Sequence, residues 1–317
     1  MNAPAAERFR DPALVDFGVD GGEGRRLEIL GGILVDRPLQ QRGLPRRQSD
    51  RWAGAAAIYR AGANGRGHWT FTGPLPDPWR VAIPLAGNVL QLEVRPAPSG
   101  QVGIFLEQVP QWRWLAEVTP PAARMLSLFA HSGAATLALA AAGAAVVHVD
   151  SSRQATTMAR RNAAASGLDA AAVRWVCEDA RAFVARELRR GARYDGAVLD
   201  PPSWGHGPKG QAFAVNRDLV PLLADVAALV APAPGTEPVG PILLTCHSPG
   251  WHHRRLHDTL SAALQRPETA SGRIESGGLA CTDAAGRDLQ LGGFARWHPA
   301  ARRTDELASR SPSEKDP

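Results

Sequence analysis

The chain has 317 residues, of which 44% are hydrophobic and 21% charged, a composition typical of a globular protein with a substantial core. No apolar run reaches the roughly 18 residues of a transmembrane helix, and the N-terminal stretch lacks the apolar centre of a secretory signal. The three cysteines are odd in number and lack metal-site spacing, which argues against a disulfide framework or a zinc site. We therefore expect a cytoplasmic protein with no membrane partner and no bound metal.

The formal net charge is +5, and arginine supplies nearly all of the positive charge, because Lys209 and Lys315 are the chain's two lysines. The planar guanidinium group suits phosphate, which favours a nucleic-acid partner. The alternative is a genome rich in G and C, which encodes arginine by default. The charge alone does not decide between a nucleic-acid partner and genome composition. The sequence is also compatible with a homo-oligomer.

Changes in pattern along the chain predict four segments. Residues 1–19 are expected to be a flexible N-terminus, and residues 20–105 a small α+β auxiliary domain of short strands. Within that domain, residues 50–62 (DRWAGAAAIYRAG) predict a helix. Residues 106–299 form the main domain, and the charged stretch 300–317 is expected to be a disordered tail.

The main domain alternates short apolar runs with longer helical runs. The predicted strands lie at 125–129, 145–149, 173–177, 194–199 and 241–246, followed by a terminal pair at 272–276 and 292–298. The predicted helices begin near Ala134, Ser152, Ala180, Val215 and His252. Such alternation predicts right-handed βαβ units and a parallel sheet of the doubly wound α/β class.

The first two strand ends carry residues suited to a nucleotide-like ligand. Phe129 to Thr136 form a turn of small residues into a helix, where backbone amides and the helix N-terminus favour an anion. Asp150 ends the second strand, where a carboxylate can accept hydrogen bonds from ribose hydroxyls. Each feature has a structural alternative, namely an ordinary tight turn and a helix N-cap supplied by Asp150, Ser151 or Ser152.

The third strand ends in Cys177, Glu178 and Asp179. Asp179 can accept a hydrogen bond from an exocyclic amine such as that of adenine, or it can cap the following helix. Cys177 is predicted to be a buried strand residue rather than a nucleophile.

The fourth strand ends in Asp200-Pro201-Pro202-Ser203-Trp204, the most informative motif of the chain. Two consecutive prolines stiffen the loop and leave its carbonyl groups free as acceptors. Rigid acceptors beside an aromatic ring can orient a planar base.

In order, LFAHSGAATLALAAAGA, VVHVDSS, ARRNAAASGL, EDARAF and YDGAVLDPPSWGHGPKG resemble the bacterial methyltransferases related to the 23S rRNA cytosine-5 enzymes, in the form without a PUA domain. The resemblance covers about residues 100–298, and DPPSWGHGPKG is its most specific part. It implies a class I, Rossmann-like fold with a seven-stranded sheet, and S-adenosyl-L-methionine as cofactor. It also implies that residues 20–105 are an auxiliary domain of the kind that relatives carry.

The resemblance also implies roles for matching positions. The methionine end of the cofactor would contact Phe129, His131, Ser132, Gly133 and Thr136. The ribose would lie at Asp150 with Ser151, the adenine at Asp179 with Ala180, and the methyl group at Asp200, Pro201, Pro202 and Ser203. Gln108, in the segment GIFLEQ, would be a further cofactor contact.

One departure concerns the nucleophile. Cytosine-5 methylation needs a cysteine thiolate, and the related enzymes carry it after the fifth strand, in a segment similar to Ser-Cys-Ser-Gly. Here Cys246 comes about two residues early, and Ser248 occupies the more natural match. Cys246 is therefore either the nucleophile, activated by His247, or a residue of strand packing.

Two basic segments are further candidates. His253 and His257, at i and i+4 of a helix, could hold a metal, although a solvated basic face touching RNA phosphate agrees better with the neighbouring arginines. Lys209 could meet a substrate phosphate, or could belong to a mobile surface loop.

The sequence thus predicts an S-adenosylmethionine-dependent methyltransferase acting on a base in RNA, with rRNA favoured. The alternatives are a methyltransferase for proteins or small molecules, and a non-catalytic RNA-binding module that kept the fold. A nicotinamide dehydrogenase would need G-x-G-x-x-G, which the turn HSGAAT does not supply.

Overall fold

The computed structural model describes residues 12–39, 44–62, 67–206, 210, 212–230, 240–264 and 272–299. Lys209 and the predicted tail at 300–317 lie outside these residues. In the part of the chain that is described, no helix combines the length and the apolar character needed to cross a bilayer.

The chain begins with a five-stranded sheet in the order β1-β2-β3-β4-β5. The strands are β1 (Ala13–Asp20), β2 (Glu23–Leu30), β3 (Ile33–Pro38), β4 (Ala57–Arg60) and β5 (His68–Phe71). All neighbours are antiparallel except β3 and β4. Residues 13–19 are therefore not the flexible segment that we expected, because they pair with β2 and bury Leu14, Val15 and Phe17.

The helix predicted at 50–62 is wrong beyond its first turn. Helix α1 spans Ser49–Trp52, and the chain then passes Gly54 and enters β4. Ile58 and Tyr59 lie in that strand, between β3 and β5. Pairing with two neighbouring strands and the strand preference of Ile and Tyr override a weak helical pattern.

A hairpin of β6 (Arg80–Leu85) and β7 (Asn88–Glu93) connects this sheet to the rest of the chain. Its buried residues Leu90 and Leu92 belong to the same apolar cluster as Leu137 and Ala138 of the following domain. The hydrophobic core therefore continues across the boundary predicted at residue 105.

The second sheet has seven strands in the order β10-β9-β8-β11-β14-β16-β15. They are β8 (Arg124–Leu128), β9 (Ala145–Asp150), β10 (Val173–Cys177), β11 (Gly196–Leu199), β14 (Ile242–Cys246), β15 (Gly272–Thr282) and β16 (Asp288–Pro299). The first five are parallel, and β16 runs antiparallel to both β14 and β15. A small hairpin of β12 (Trp204–His206) and β13 (Ala212–Ala214) follows β11. The predicted doubly wound, seven-stranded architecture is confirmed.

Helices cover both faces of this sheet. They are α2 (Val109–Val118), which follows a 3-10 turn at Leu106–Gln108, α3 (Ala134–Ala141), α4 (Arg153–Ala165), α5 (Ala180–Arg189), α6 (Val215–Val230) and α7 (His253–Leu264). Helices α5, α6 and α7 share one buried apolar cluster, whereas α2 and α3 share another. With both faces closed, the open edge at the carboxyl ends of the parallel strands is the natural place for a ligand.

Candidate functional site

The turn after β8 has an unusual backbone. Phe129 (φ 54°), His131 (φ 45°) and Gly133 (φ 86°) all adopt left-handed conformations, and two of them carry side chains. Three hydrogen bonds hold the turn: the His131 amide donates to Asp150 Oδ2 (2.8 Å), Ser132 Oγ donates to the Gly103 carbonyl (3.0 Å), and Asn162 Nδ2 donates to the Ser132 carbonyl (2.9 Å). Strained residues held by so many contacts are typical of a ligand site.

Gly133 has a packing role. It precedes the first residue of α3, and a Cβ atom at this position would lie 2.8 Å from the Cβ of Ala159 in α4. The glycine thus permits both the positive φ and the close approach of the two helices.

Two adjoining pockets open at the carboxyl edge of the sheet. We call the first the inner pocket; it lies at the ends of β8, β11 and β14. Its polar lining consists of Gln108, Ser127, His131, Ser132, Asp200 and Thr245, with Phe105 and Phe129 among its apolar residues. The structure therefore brings Gln108, Phe129, His131, Ser132 and Asp200 together, as the sequence predicted.

We call the second the outer pocket; it lies at the ends of β9 and β10. It is lined by Phe129, Asp150, Ser151, Asp179, Ala180, Pro202 and Phe213, among others. Phe129 borders both pockets, and its ring centroid lies 5.0 Å from that of Phe213. Apolar rings and a proline beside the carboxylates of Asp150, Glu178 and Asp179 offer stacking surfaces together with hydrogen-bond acceptors.

Asp150 braces the rim of the outer pocket. Its Oδ1 accepts from the Ser152 amide (2.8 Å) and its Oδ2 from the His131 amide (2.8 Å). Ser152 is the N-cap of α4, because its Oγ accepts from the Ala155 amide. Each carboxylate oxygen keeps a further lone pair for a ligand hydroxyl.

Asp179 is the N-cap of α5, the alternative that the sequence left open. Its Oδ1 accepts from the amides of Arg181 (3.0 Å) and Ala182 (3.1 Å), while Oδ2 accepts from the Arg181 guanidinium group (3.3 Å). The carboxylate is thus fixed in orientation at the end of β10.

Thr136 lies away from both pockets. It is completely buried, and its Oγ1 pairs with His148 Nδ1 at 3.0 Å. The prediction that Thr136 contacts the methionine end of the cofactor is therefore wrong, because its side chain points from α3 towards β9.

Cys246 also faces away from the inner pocket. Leu243 and Thr245 line the pocket, and successive side chains of a strand alternate between its faces. Cys246 is completely buried in the opposite apolar cluster with Leu244, and burial raises the pKa of its thiol. These observations favour the strand-packing role over the nucleophile.

Cys177 corrects a second prediction about thiols. We expected a buried strand residue, but Cys177 is exposed, with its Sγ 3.5 Å from the Ser151 carbonyl. As the last residue of an edge strand, it lacks a neighbour on one side.

Sequence reasoning missed a hydrogen-bonded chain beside Asp200. Gln108 Nε2 donates to Thr245 Oγ1 (3.1 Å), and Thr245 Oγ1 donates to Asp200 Oδ1 (2.7 Å). His247 completes the group, with Nε2 3.3 Å from Gln108 Nε2 and Nδ1 3.0 Å from the Leu291 carbonyl. Side chains alternate between the two faces of a strand, so the sequence could have placed Thr245 on the same face of β14 as Leu243.

The predicted histidine pair of α7 lies outside the two pockets. Helix α7 begins at His253, and His257 Nδ1 lies 3.2 Å from its neighbour Asp258. Within the described ranges, no group of three or more His, Cys, Asp or Glu side chains could hold a metal ion.

Comparison with known proteins adds a family assignment. Residues 59–247, more than half of the chain, match the family model for S-adenosylmethionine-dependent methyltransferases. A crystal structure of a SAM-dependent methyltransferase from Agrobacterium tumefaciens is 32% identical, with a TM-score of 0.79 over 91% of this chain and 90% of its own.

Two further relatives are ribosomal RNA enzymes. Ribosomal RNA large subunit methyltransferase K/L of Syntrophotalea carbinolica is 32% identical over 132 residues, which are 41% of this chain and 18% of the relative. Ribosomal RNA large subunit methyltransferase I of Aeromonas salmonicida is 28% identical over 163 residues, which are 51% of this chain and 39% of the relative. The match thus spans less than half the length of either relative.

Proposed function

The chain belongs to the S-adenosylmethionine-dependent methyltransferase family, and we propose that it methylates a base in RNA, with ribosomal RNA as the favoured substrate. The observation that carries the proposal is the junction of the two pockets at Phe129. One pocket has the chemistry to hold a nucleoside, and the other ends at the Asp-Pro-Pro motif.

The residues of the outer pocket fit the nucleoside part of the cofactor. Asp150 offers lone pairs to ribose hydroxyls, and Phe129, Pro202 and Phe213 offer apolar surfaces to adenine. In the inner pocket, His131, Ser132 and Gln108 supply polar groups for the amino-acid part. The cofactor supplies a methyl group activated by a sulfonium. The chain aligns donor and acceptor and excludes water.

Three observations support RNA as the acceptor. Trp204, four residues after Asp200, is 59% exposed, and an indole ring can stack on an unpaired base. The net charge is +5 and is dominated by arginine, which suits phosphate. Two relatives are ribosomal RNA methyltransferases.

The cytosine-5 subclass has less support. That reaction needs a thiolate at C6 of the base, whereas Cys246 is buried on the far face of β14. Ser248, at the position where related enzymes carry cysteine, is also buried, and its Oγ lies 2.7 Å from Ser203 Oγ.

A deletion strain tests the proposal. Purified protein and isotope-labelled S-adenosylmethionine are incubated with RNA from the deletion strain and from the parent strain. We expect label in the first RNA alone, since the parental site is already methylated. Nucleoside mass spectrometry should show the same modified base missing from the deletion strain. Label that appears in the protein or small-molecule fraction, with none in RNA, would contradict the proposal.

A further inference from the structure

We propose that a third pocket, beside the inner pocket, binds a nucleotide of the substrate RNA other than the one that is methylated, with Arg95 as the ligand of its phosphate. We call it the linker pocket, because residues 95–105, which link β7 to the 3-10 turn, form one of its walls. This inference rests on the proposed function and adds to it a second contact site for the same RNA.

The linker pocket adjoins the inner pocket. It lies between the segment 95–105 and the first turns of α4. Phe105 and His131 line both pockets, and their ring centroids are 5.8 Å apart, so these two rings lie where the pockets meet. An RNA strand whose target base lies at the inner pocket therefore has its neighbouring nucleotides close to the linker pocket.

The linker pocket is large enough for a nucleotide. Its volume is about 340 Å³, within the range of roughly 300–1,000 Å³ that is typical of small-molecule sites. Phe105, Ala155 and Met158 give it an apolar surface that suits the flat face of a base. The thioether of Met158 is flexible and polarizable, so it can adapt to different bases.

The charge of the linker pocket favours an anion. Arg95 is its permanently charged side chain, and the described residues of its lining include no Asp or Glu. The outer pocket, in contrast, is lined by three carboxylates. The cofactor carries a sulfonium and an ammonium group, which match those carboxylates, whereas a phosphate matches the linker pocket.

The guanidinium group of Arg95 is fixed by one nitrogen and leaves two others open. Its Nε donates to Glu93 Oε1 (2.7 Å), and Arg161 Nε donates to Glu93 Oε2 (2.8 Å). Two guanidinium groups thus share one carboxylate, and a net positive charge remains. Within the described part of the chain, Nη1 and Nη2 of Arg95 make no hydrogen bond, and the side chain is 47% exposed. The planar fork of these nitrogens suits the oxygens of a phosphate.

The wall of the linker pocket is fixed by the first sheet. Trp69 Nε1 of β5 donates to the Ala97 carbonyl (2.8 Å), and the Tyr59 hydroxyl of β4 donates to the Pro98 carbonyl (2.9 Å). A pocket that is formed before its ligand arrives binds it without the free-energy cost of ordering the wall. The five-stranded sheet thus contributes to substrate binding by holding this segment in place.

The N-terminus of α4 adds to the preference for an anion. Ser152, the N-cap of this helix, and Gln154 both line the linker pocket. The amides of Arg153 and Gln154 have no partner earlier in the helix, and the helix dipole favours negative charge beside them. The phosphate is therefore placed between Arg95 and the first turn of α4.

The first test compares the two arginines that share Glu93. Arg95→Gln removes the guanidinium group of the linker pocket, so affinity for the RNA that accepts methyl should fall about tenfold in fluorescence anisotropy. The plot of log affinity against log salt concentration should become shallower by about 1. At saturating RNA, kcat should stay within about threefold of the wild type, as should cofactor affinity.

Arg161→Gln is the matched control. It removes the other guanidinium group from Glu93, but Arg161 is not part of the pocket lining. Its affinity for RNA should stay within about threefold of the wild type. An equal loss of affinity in both variants would overturn the assignment of Arg95 to the phosphate.

A second pair of variants adds negative charge. Gln154→Glu places a carboxylate in the linker pocket, at a helix position where acidic residues are favourable, and RNA affinity should fall about tenfold. The control Thr157→Glu adds the same charge at an exposed position of α4 outside the lining, and affinity should stay within about threefold. Unchanged affinity in Gln154→Glu, with a normal unfolding transition, would contradict the site.

The decisive experiment identifies the phosphate. Oligonucleotides of the methylated RNA carry a neutral methylphosphonate in place of one phosphate at a time around the target. At one position the wild type should lose about tenfold in affinity, while Arg95→Gln loses less than about threefold. If no position separates the two proteins, the inference is overturned and the proposed function stays intact. Failure of any RNA to accept methyl, although the cofactor binds by calorimetry, overturns both.

Discussion

The two sheets of this protein bury polar groups in opposite ways. In the five-stranded sheet, Glu28 and Arg37 are almost completely buried and form an ion pair in the interior. In the seven-stranded sheet, the parallel strands bury mostly apolar side chains, with His148 and Thr245 among the exceptions, and the carboxylates Asp150, Asp179 and Asp200 lie at the strand ends. The first sheet is held partly by paired charges, whereas the second has these three carboxylates at the rim that we propose binds the cofactor.

The largest expected effect breaks the ion pair of the first sheet. Glu28→Ala leaves the Arg37 guanidinium buried without its partner, so the free energy of unfolding should fall by about 3–5 kcal/mol. Denaturant titration followed by tryptophan fluorescence measures it. The matched control is Glu23→Ala, whose exposed carboxylate lies 4.0 Å from Arg25 and should contribute less than about 0.5 kcal/mol. A similar fall in the free energy of unfolding in both variants would show that the buried ion pair contributes no more than the exposed one.

A smaller effect concerns pH and His148, a polar residue buried in β9 of the second sheet. Burial lowers the pKa of His148 from 6.5 to about 3, so the ring is neutral in the folded protein. The unfolded chain binds a proton near pH 6.5 that the folded chain does not, and stability is therefore lost as pH falls below 6.5. Between pH 7 and pH 5 this loss amounts to about 2 kcal/mol.

The comparison variant is His148→Leu, which removes the titrating group. Its free energy of unfolding should decline about 2 kcal/mol less than that of the wild type over the same pH interval. Parallel pH profiles of His148→Leu and the wild type would refute the neutral, buried histidine.

The ion pair of the first sheet should behave differently over the same pH interval. For Glu28, burial tends to raise the pKa, but Arg26 and Arg37 together lower it below its usual 4.5. The stabilisation by this ion pair should therefore persist from pH 7 to pH 5.

The third prediction tests the rim of the second sheet. Asp150→Ala removes both the bonds to the backbone of the turn and the lone pairs offered to ribose, so cofactor affinity should fall at least about tenfold, or 1.4 kcal/mol. Calorimetric titration measures it. Asp195→Ala is the control, because Asp195 accepts from the Arg124 amide at the opposite edge of the sheet. Equal affinity in both variants would remove Asp150 from the site.

The sequence predicted the second sheet better than the first. Strands β8 to β11 and β14 follow apolar runs bounded by acidic or proline residues, and the helices between them begin at recognisable caps such as Ser152. The first sheet gave weaker signals. Its strand β4 lies in an alanine-rich run that also suits a helix, and tertiary pairing decided the outcome.

The site was predictable where chemistry sits at strand ends. Asp150, Asp179 and Asp200 could be placed along one edge because parallel strands end together. The hydrogen bond between Gln108 and Thr245 could not be predicted, because it joins residues 137 positions apart and no local pattern encodes their contact. The predicted role of Thr136 was wrong for a related reason: its hydrogen-bond partner, His148, lies on another element.

One side chain connects the strand β7 to the turn after β8. Asn162 in α4 donates to the Ser132 carbonyl with its amide nitrogen, and its amide oxygen accepts from the backbone of Glu93 in β7. A fragment that starts at residue 106 would lack β7 and leave that oxygen without its donor inside the protein. The early strands thus support the turn that we propose contacts the cofactor, and we expect such a fragment to bind S-adenosylmethionine more weakly than the full chain.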